Sequence, residues 1–93
     1  MKDSCYDEDK RQTNRAKHGV DFSEMALVDW VTAAHFADTR WDYGERRVVT
    51  LGYIGDRLHV ITWTQRGPTV RIITMRKANA REQKVYRATR FAH

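Results

Sequence analysis

Apolar and polar positions alternate with a period of two along three runs of the chain, about Arg46 to Tyr53, Leu58 to Gln65 and Val70 to Arg76. In the middle run Leu58, Val60 and Thr62 fall on one face, and His59, Ile61 and Trp63 on the other. Gly55-Asp56 and Gly67-Pro68 separate the runs. Breaks this short do not accommodate a parallel crossover, so the three strands are expected to pair as an antiparallel meander. Trp30 to Phe36, rich in aromatic and β-branched residues, predicts a further strand, although Ala33-Ala34 also fits a longer helix. A polar loop from Ala37 to Gly44 follows it.

The flanks read as helices. Ser4 to Tyr6 fits a short strand, after which Asp7 is placed to cap a polar helix running to about Lys17, with Gly19 as its stop. Asp21 and Glu24 have capping-box spacing, and Val20 can staple onto Met25, which predicts a second helix to about Asp29. At the other end Asn79 and Glu82 repeat the box spacing ahead of Val85, Tyr86, Ala88, Thr89 and Phe91. The expected class is α+β: two N-terminal helices, an antiparallel sheet of three to four strands, and a C-terminal helix. At 93 residues, with no repeat or linker, the chain is expected to form a single domain over 1–93.

Charge adds an asymmetry that the hydropathy pattern does not show. Residues 1–45 carry 6 basic and 10 acidic side chains, whereas residues 46–93 carry 11 basic, nine of them arginine, and 2 acidic. A folded polycation of this kind concentrates polyanions, nucleic acid first and an acidic protein next. Arginine suits two-pronged contact with phosphate. No run of about 18 apolar residues is present to span a bilayer, and no secretory signal opens the sequence, so a cytoplasmic location without membrane association is expected. The lone Cys5 excludes an internal disulfide. His35, His59 and His93 form no i,i+4 pair, so neither metal nor cofactor is expected.

Tyr6-Asp7, Lys10, Asn14, Lys17-His18-Gly19-Val20, Phe22 and Ala26 resemble the opening of the BrnT family, the toxin half of a bacterial type II toxin–antitoxin pair. Arg47 five residues before Gly52, then Arg71-Ile-Ile-Thr-Met-Arg76-Lys77-Ala78, Glu82 and Tyr86, continue the resemblance in order. It covers roughly residues 6–87, with Tyr6 where the family usually has Trp and Thr74-Met75 where Ser-Ala is more frequent. The resemblance implies a RelE-like fold and endoribonuclease activity against mRNA or other RNA. It also implies a BrnA-type antitoxin, operator DNA bound only through that antitoxin, and a toxin–antitoxin hetero-oligomer.

Metal-free RNA cleavage commonly uses the ribose 2′-hydroxyl as nucleophile, leaving the protein to orient the phosphate, stabilise its charge and move two protons. Arg47 and Arg76, expected to converge on one anion pocket, and Lys77 at a strand end are the candidate catalytic cations, with Arg71, Arg81 and Lys84 binding RNA. The alternative for any one arginine is a solvated sheet residue paired with the acidic N-terminal half. Arg71 points opposite to Arg76 on a regular strand, and both reach one phosphate only if a bulge or strand end intervenes. His18 suits acid–base work, or else bonds the carbonyls at its helix end. Glu82 is a cap, an active-site carboxylate fixing an arginine, or both. Tyr86 stacks on a base or fills the core. Trp30, Trp41 and Trp63 are candidates for stacking, with core or interface use as the alternative. The competing function is a non-catalytic basic module that binds RNA or a protein; a transcriptional role lacks a helix-turn-helix pattern.

Overall fold

The three alternating runs form the antiparallel meander expected of them, in a computed structural model that describes residues 4–5, 8–19, 22–40 and 44–91. The strand end at Tyr6, the Asp7 cap, the Val20 staple, the Asp21 box residue, Trp41 and His93 lie outside the described residues. In chain order the elements are β1 (Ser4–Cys5), α1 (Glu8–His18), a 3₁₀ helix (Phe22–Leu27), β2 (Ala34–Ala37), β3 (Arg47–Ile54), β4 (Arg57–Arg66), β5 (Thr69–Lys77) and α2 (Ala80–Phe91). The architecture is α+β. The sheet order is β1-β5-β4-β3-β2, with β2 to β5 antiparallel and β1 parallel to β5.

Both hairpins turn on glycine. Gly55 and Gly67 sit at φ 61° and 58°, a region that two-residue loops between twisted strands demand and that side chains with a Cβ rarely adopt. β4 lies between two strands, and Leu58 to Thr62 is buried continuously because both sheet faces are covered there. One face packs Ile61, Val70, Ile72 and Met75 against Phe22, Met25 and Val28. The other packs Leu51, Leu58 and Val60 against Ala34, Ala78 and Tyr86. Gly52 permits the first of these layers to close, since a Cβ there would stand 2.8 Å from Val28 Cγ1.

Two N-terminal expectations need correction. In place of the second α-helix the chain makes a six-residue 3₁₀ helix, ended where the Asp29 N–H donates to the Tyr53 carbonyl of β3 at 2.8 Å. Asp29 Oδ1 then accepts from the N–H groups of Val31 and Thr32, at 3.1 and 3.4 Å. That side-chain turn redirects the chain, so β2 begins at Ala34 instead of Trp30. Among the described residues, no helix is long and apolar enough to cross a membrane.

α1 is joined to β5 by one buried residue. The Asn14 amide donates to the Met75 carbonyl at 2.7 Å, and its oxygen accepts from the Met75 N–H at 3.2 Å. A side chain thereby pairs with the strand as another strand would, beyond the two-residue reach of β1. Asn14→Leu keeps the branched shape but removes both bonds from a strand residue with no exposed surface. It is expected to cost about 2 kcal/mol or more, measured as a lowered urea midpoint.

Candidate active site

The bulge on which the arginine placement depends is present. Thr62 pairs with Thr74 but Trp63 with Ile72, which leaves Ile73 as an extra residue in β5. The phase of the strand shifts there. Arg71 lies opposite Thr64, which also lies opposite Arg47, and Arg76 lies opposite Val60. Thr64 and Val60 are an even step apart on β4, so Arg47, Arg71, Thr74 and Arg76 share the face on which α2 packs. Lys77 falls opposite His59, so strand alternation places it on the other face from Arg76.

Arg76 is held on this face by both oxygens of one carboxylate. Its Nη1 and Nη2 donate to Glu82 Oε1 and Oε2 at 2.7 and 2.6 Å. Glu82 Oε1 also accepts from the Asn79 N–H at 2.9 Å, while Asn79 Oδ1 accepts from the Glu82 N–H at 2.8 Å, completing the capping box of α2. One carboxylate is therefore both cap and arginine holder. Hydrogen bonding from Arg76 holds the Glu82 carboxyl below its ordinary 4.5 against the opposing effect of partial burial, with the Asn79 N–H assisting. The same bond raises Arg76.

Arg47 is held separately. Its Nε donates to Glu45 Oε2 at 3.3 Å, and Arg66 Nη2 donates to Glu45 Oε1 at 2.9 Å. The Arg66 hydrogen bond, then that of Arg47, depresses the Glu45 carboxyl. Arg47 and Arg76 stand four rungs apart along β4, about 13 Å at about 3.3 Å per residue. The single pocket expected for them is instead two adjoining grooves. A groove of about 330 Å³ runs beside Arg76, Glu82 and Thr62, and one of about 840 Å³ beside Arg46 and Arg47. Phe36 to Thr39 forms their common wall.

The other candidates are spread around this centre. His18, at the end of α1, lines a neighbouring groove with Lys10, Lys17 and the exposed Thr74. Partial burial, then the charges of Lys17 and Arg76, lower its pKa from 6.5. The Arg15 carbonyl at that helix end is taken by the Gly19 N–H at 2.8 Å. Arg81 and Lys84 are exposed on α2. Arg81 lies one turn before Val85, which lines the Arg76 groove, whereas the helical period turns Lys84 away.

Tyr86 is placed in the core, not on an RNA-facing surface. It is 8% exposed, its hydroxyl donates to the Thr32 carbonyl at 2.8 Å, and its ring meets Tyr53 edge to face. Trp63 donates to Thr50 Oγ1, and Trp30 stacks on His35, both on the opposite sheet face. His59 is buried, with Nδ1–H donating to the Arg57 carbonyl. Among the described residues, no group of three or more His, Cys, Asp or Glu is arranged to hold a metal. Arg40, which sequence reasoning passed over, also lines the Arg76 groove. Its only signal was an acidic residue two positions earlier in a polar loop.

Residues 6–82 match the model of a family described as "Ribonuclease toxin, BrnT, of type II toxin-antitoxin system". No curated protein matches the chain.

The depressed Glu82 carboxyl predicts a pH signature. Because its folded-state pKa lies below the unfolded value, its ionic contribution to stability is complete above about 4.5 and is lost as pH falls through the folded value. Glu82→Gln should be less stable than wild type at neutral pH, and the gap between their urea midpoints should close in that acidic window.

Proposed function

Since the chain belongs to the BrnT ribonuclease toxins of type II toxin–antitoxin systems, whose substrate is RNA and whose partner is an antitoxin, we propose that RNA is cleaved in the Arg76 groove without a metal. The observation that carries this reading is the bidentate Arg76–Glu82 pair at a groove on the sheet face that also presents Arg47 and Arg71. Glu82 orients Arg76 toward the scissile phosphate, where a fixed cation stabilises the charge that develops on its oxygens. Neutral His18, facing the site from the adjoining groove that it shares with Thr74, two residues before Arg76 on β5, takes the proton of the ribose 2′-hydroxyl. The 2′-oxygen then bonds to phosphorus, the bond to the 5′-oxygen breaks, and the leaving oxygen takes a proton from water at the open mouth of the groove. The lowered His18 pKa supports this role, because the ring is neutral and able to accept a proton near pH 7.

Arg47 and Arg71 hold the strand flanking the cleaved linkage, and Arg81 extends this basic path along α2. Lys84 contributes only to the long-range field, and Lys77 acts from the opposite face. The chain acts as one domain over 1–93 with a RelE-like fold, which the meander with its C-terminal helix on one face supports. Its antitoxin is BrnA-type, assembles with it as a hetero-oligomer in the cytoplasm and alone contacts operator DNA. The polycationic face supports inhibition by an acidic antitoxin segment that covers the RNA path.

The test is cleavage of single-stranded RNA by protein freed of antitoxin, in EDTA. Arg76→Ala should lower kcat/KM by at least about a hundredfold, and Arg47→Ala should weaken RNA binding and its salt dependence. Full activity and cellular toxicity in both variants would remove the site assignment, and salt-sensitive RNA binding without cleaved ends would favour a non-catalytic module. His18→Gln should abolish the acidic limb of the kcat/KM profile, which wild type is expected to show below pH 6.5.

A further inference from the structure

A second guanidinium stands across the groove from Arg76. Arg76 and Glu82 form the wall at the β5–α2 junction, Val60 and Leu51 of β4 and β3 lie between, and the loop after β2 brings Arg40 to the far side. This guanidinium is also held by a carboxylate. Arg40 Nε and Nη2 donate to Asp38 Oδ1 and Oδ2 at 2.9 and 3.0 Å, and the Arg40 N–H reaches Asp38 Oδ1 at 3.3 Å. Asp38 is fixed in turn, its N–H donating to the Arg47 carbonyl at 2.9 Å.

The two partners are unequally exposed. The Asp38 side chain is 2% exposed and that of Arg40 72%. A sunken carboxylate under a displayed guanidinium differs from an ordinary surface pair, in which both ends are solvated and the geometry is loose. Burying a carboxylate is costly unless its bonds are strong, and those bonds fix where the guanidinium points.

We propose that Arg40 is a phosphate-binding residue of the ribonuclease site, engaging the same RNA phosphodiester as Arg76 from the opposite wall, with Asp38 as its positioning residue. The inference rests on the assignment of the Arg76 groove as the cleavage site. Asp38 and Glu82 offset the two positive charges, but Asp38 is sunken while the Arg40 guanidinium above it is displayed, so the groove presents guanidinium forks to an anion. The field of Arg40 reaches Arg76 and opposes its protonation, in agreement with that proximity. A phosphodiester has two non-bridging oxygens, one for each guanidinium.

The experiment compares wild type, Arg40→Ala, Arg40→Lys, Asp38→Asn and Arg76→Ala, all freed of antitoxin and checked for folding by circular dichroism. Cleavage is measured on single-stranded RNA, and binding on the 2′-O-methyl form of the same oligonucleotide, which lacks the nucleophile. Arg40→Ala should lower kcat/KM by about 10- to 100-fold and reduce the slope of log affinity against log salt by about 0.7. Arg40→Lys should restore that slope but not the cleavage rate, because an ammonium lacks the planar fork. Asp38→Asn makes the net charge more positive, so bulk electrostatics alone would tighten RNA binding and leave kcat unchanged. Loss of positioning instead lowers kcat.

An Arg40→Ala protein equal to wild type in both slope and kcat/KM overturns the proposal, as does an Asp38→Asn protein with wild-type kcat. If Arg76→Ala is inactive while Arg40→Ala is not impaired, the Arg40 inference alone falls. If Arg76→Ala itself cleaves like wild type, the groove assignment falls with it.

Discussion

Glu82 is the point at which the sheet, the C-terminal helix and the site's chemistry are tied together. Its two oxygens receive both terminal nitrogens of Arg76, and one of them, Oε1, also closes the capping box of α2. The start of the helix and the direction of the arginine are therefore set by one group. A neutral residue that kept the cap would release the guanidinium, and a carboxylate elsewhere on α2 would hold the arginine without starting the helix. The register of β5 delivers Arg76 to this carboxylate, and the inserted Ile73 brings Arg71 onto the same side.

The same arrangement recurs with different parts. Arg40 rests on Asp38, and Arg47 shares Glu45 with Arg66. Pairs as exposed as Arg66–Glu45 add little to stability, which points to orientation as their main effect. A basic surface left to flexible side chains would meet RNA with many geometries and lose entropy on choosing one. Guanidiniums already held by carboxylates lose less, while the surplus of positive charge in residues 46–93 still draws the polyanion in.

Much of this was legible in the sequence, for reasons that also mark its limits. The meander follows from period-two alternation interrupted by glycine breaks, and α2 from the Asn79–Glu82 spacing, both local signals. The 3₁₀ helix was not legible, because a tertiary bond from Asp29 to Tyr53 ends it. Pairing of β1 with β5 joins segments some 65 residues apart through two residues, too few to leave a pattern. Among the site residues, Arg47, Arg76 and Glu82 carried family-like spacing. Lys77, next to Arg76 on a strand, faces the other way, and the side taken by Arg71 turned on a bulge at Ile73 that no local signal marks. Tyr86 carried two readings, and burial of its ring with a bonded hydroxyl selects the core. Arg40 had no periodic element to announce it.

Asn14 closes the outer rail of β5 at Met75 with a side chain, and a position closed in that way offers no template to another molecule. Among the described residues the strands at the two ends of the sheet are β1 and β2, of two and four residues. Ribbons that short make poor seeds for fibrous self-association, so this sheet is protected from polymerising even when its arginine-rich face stands uncovered.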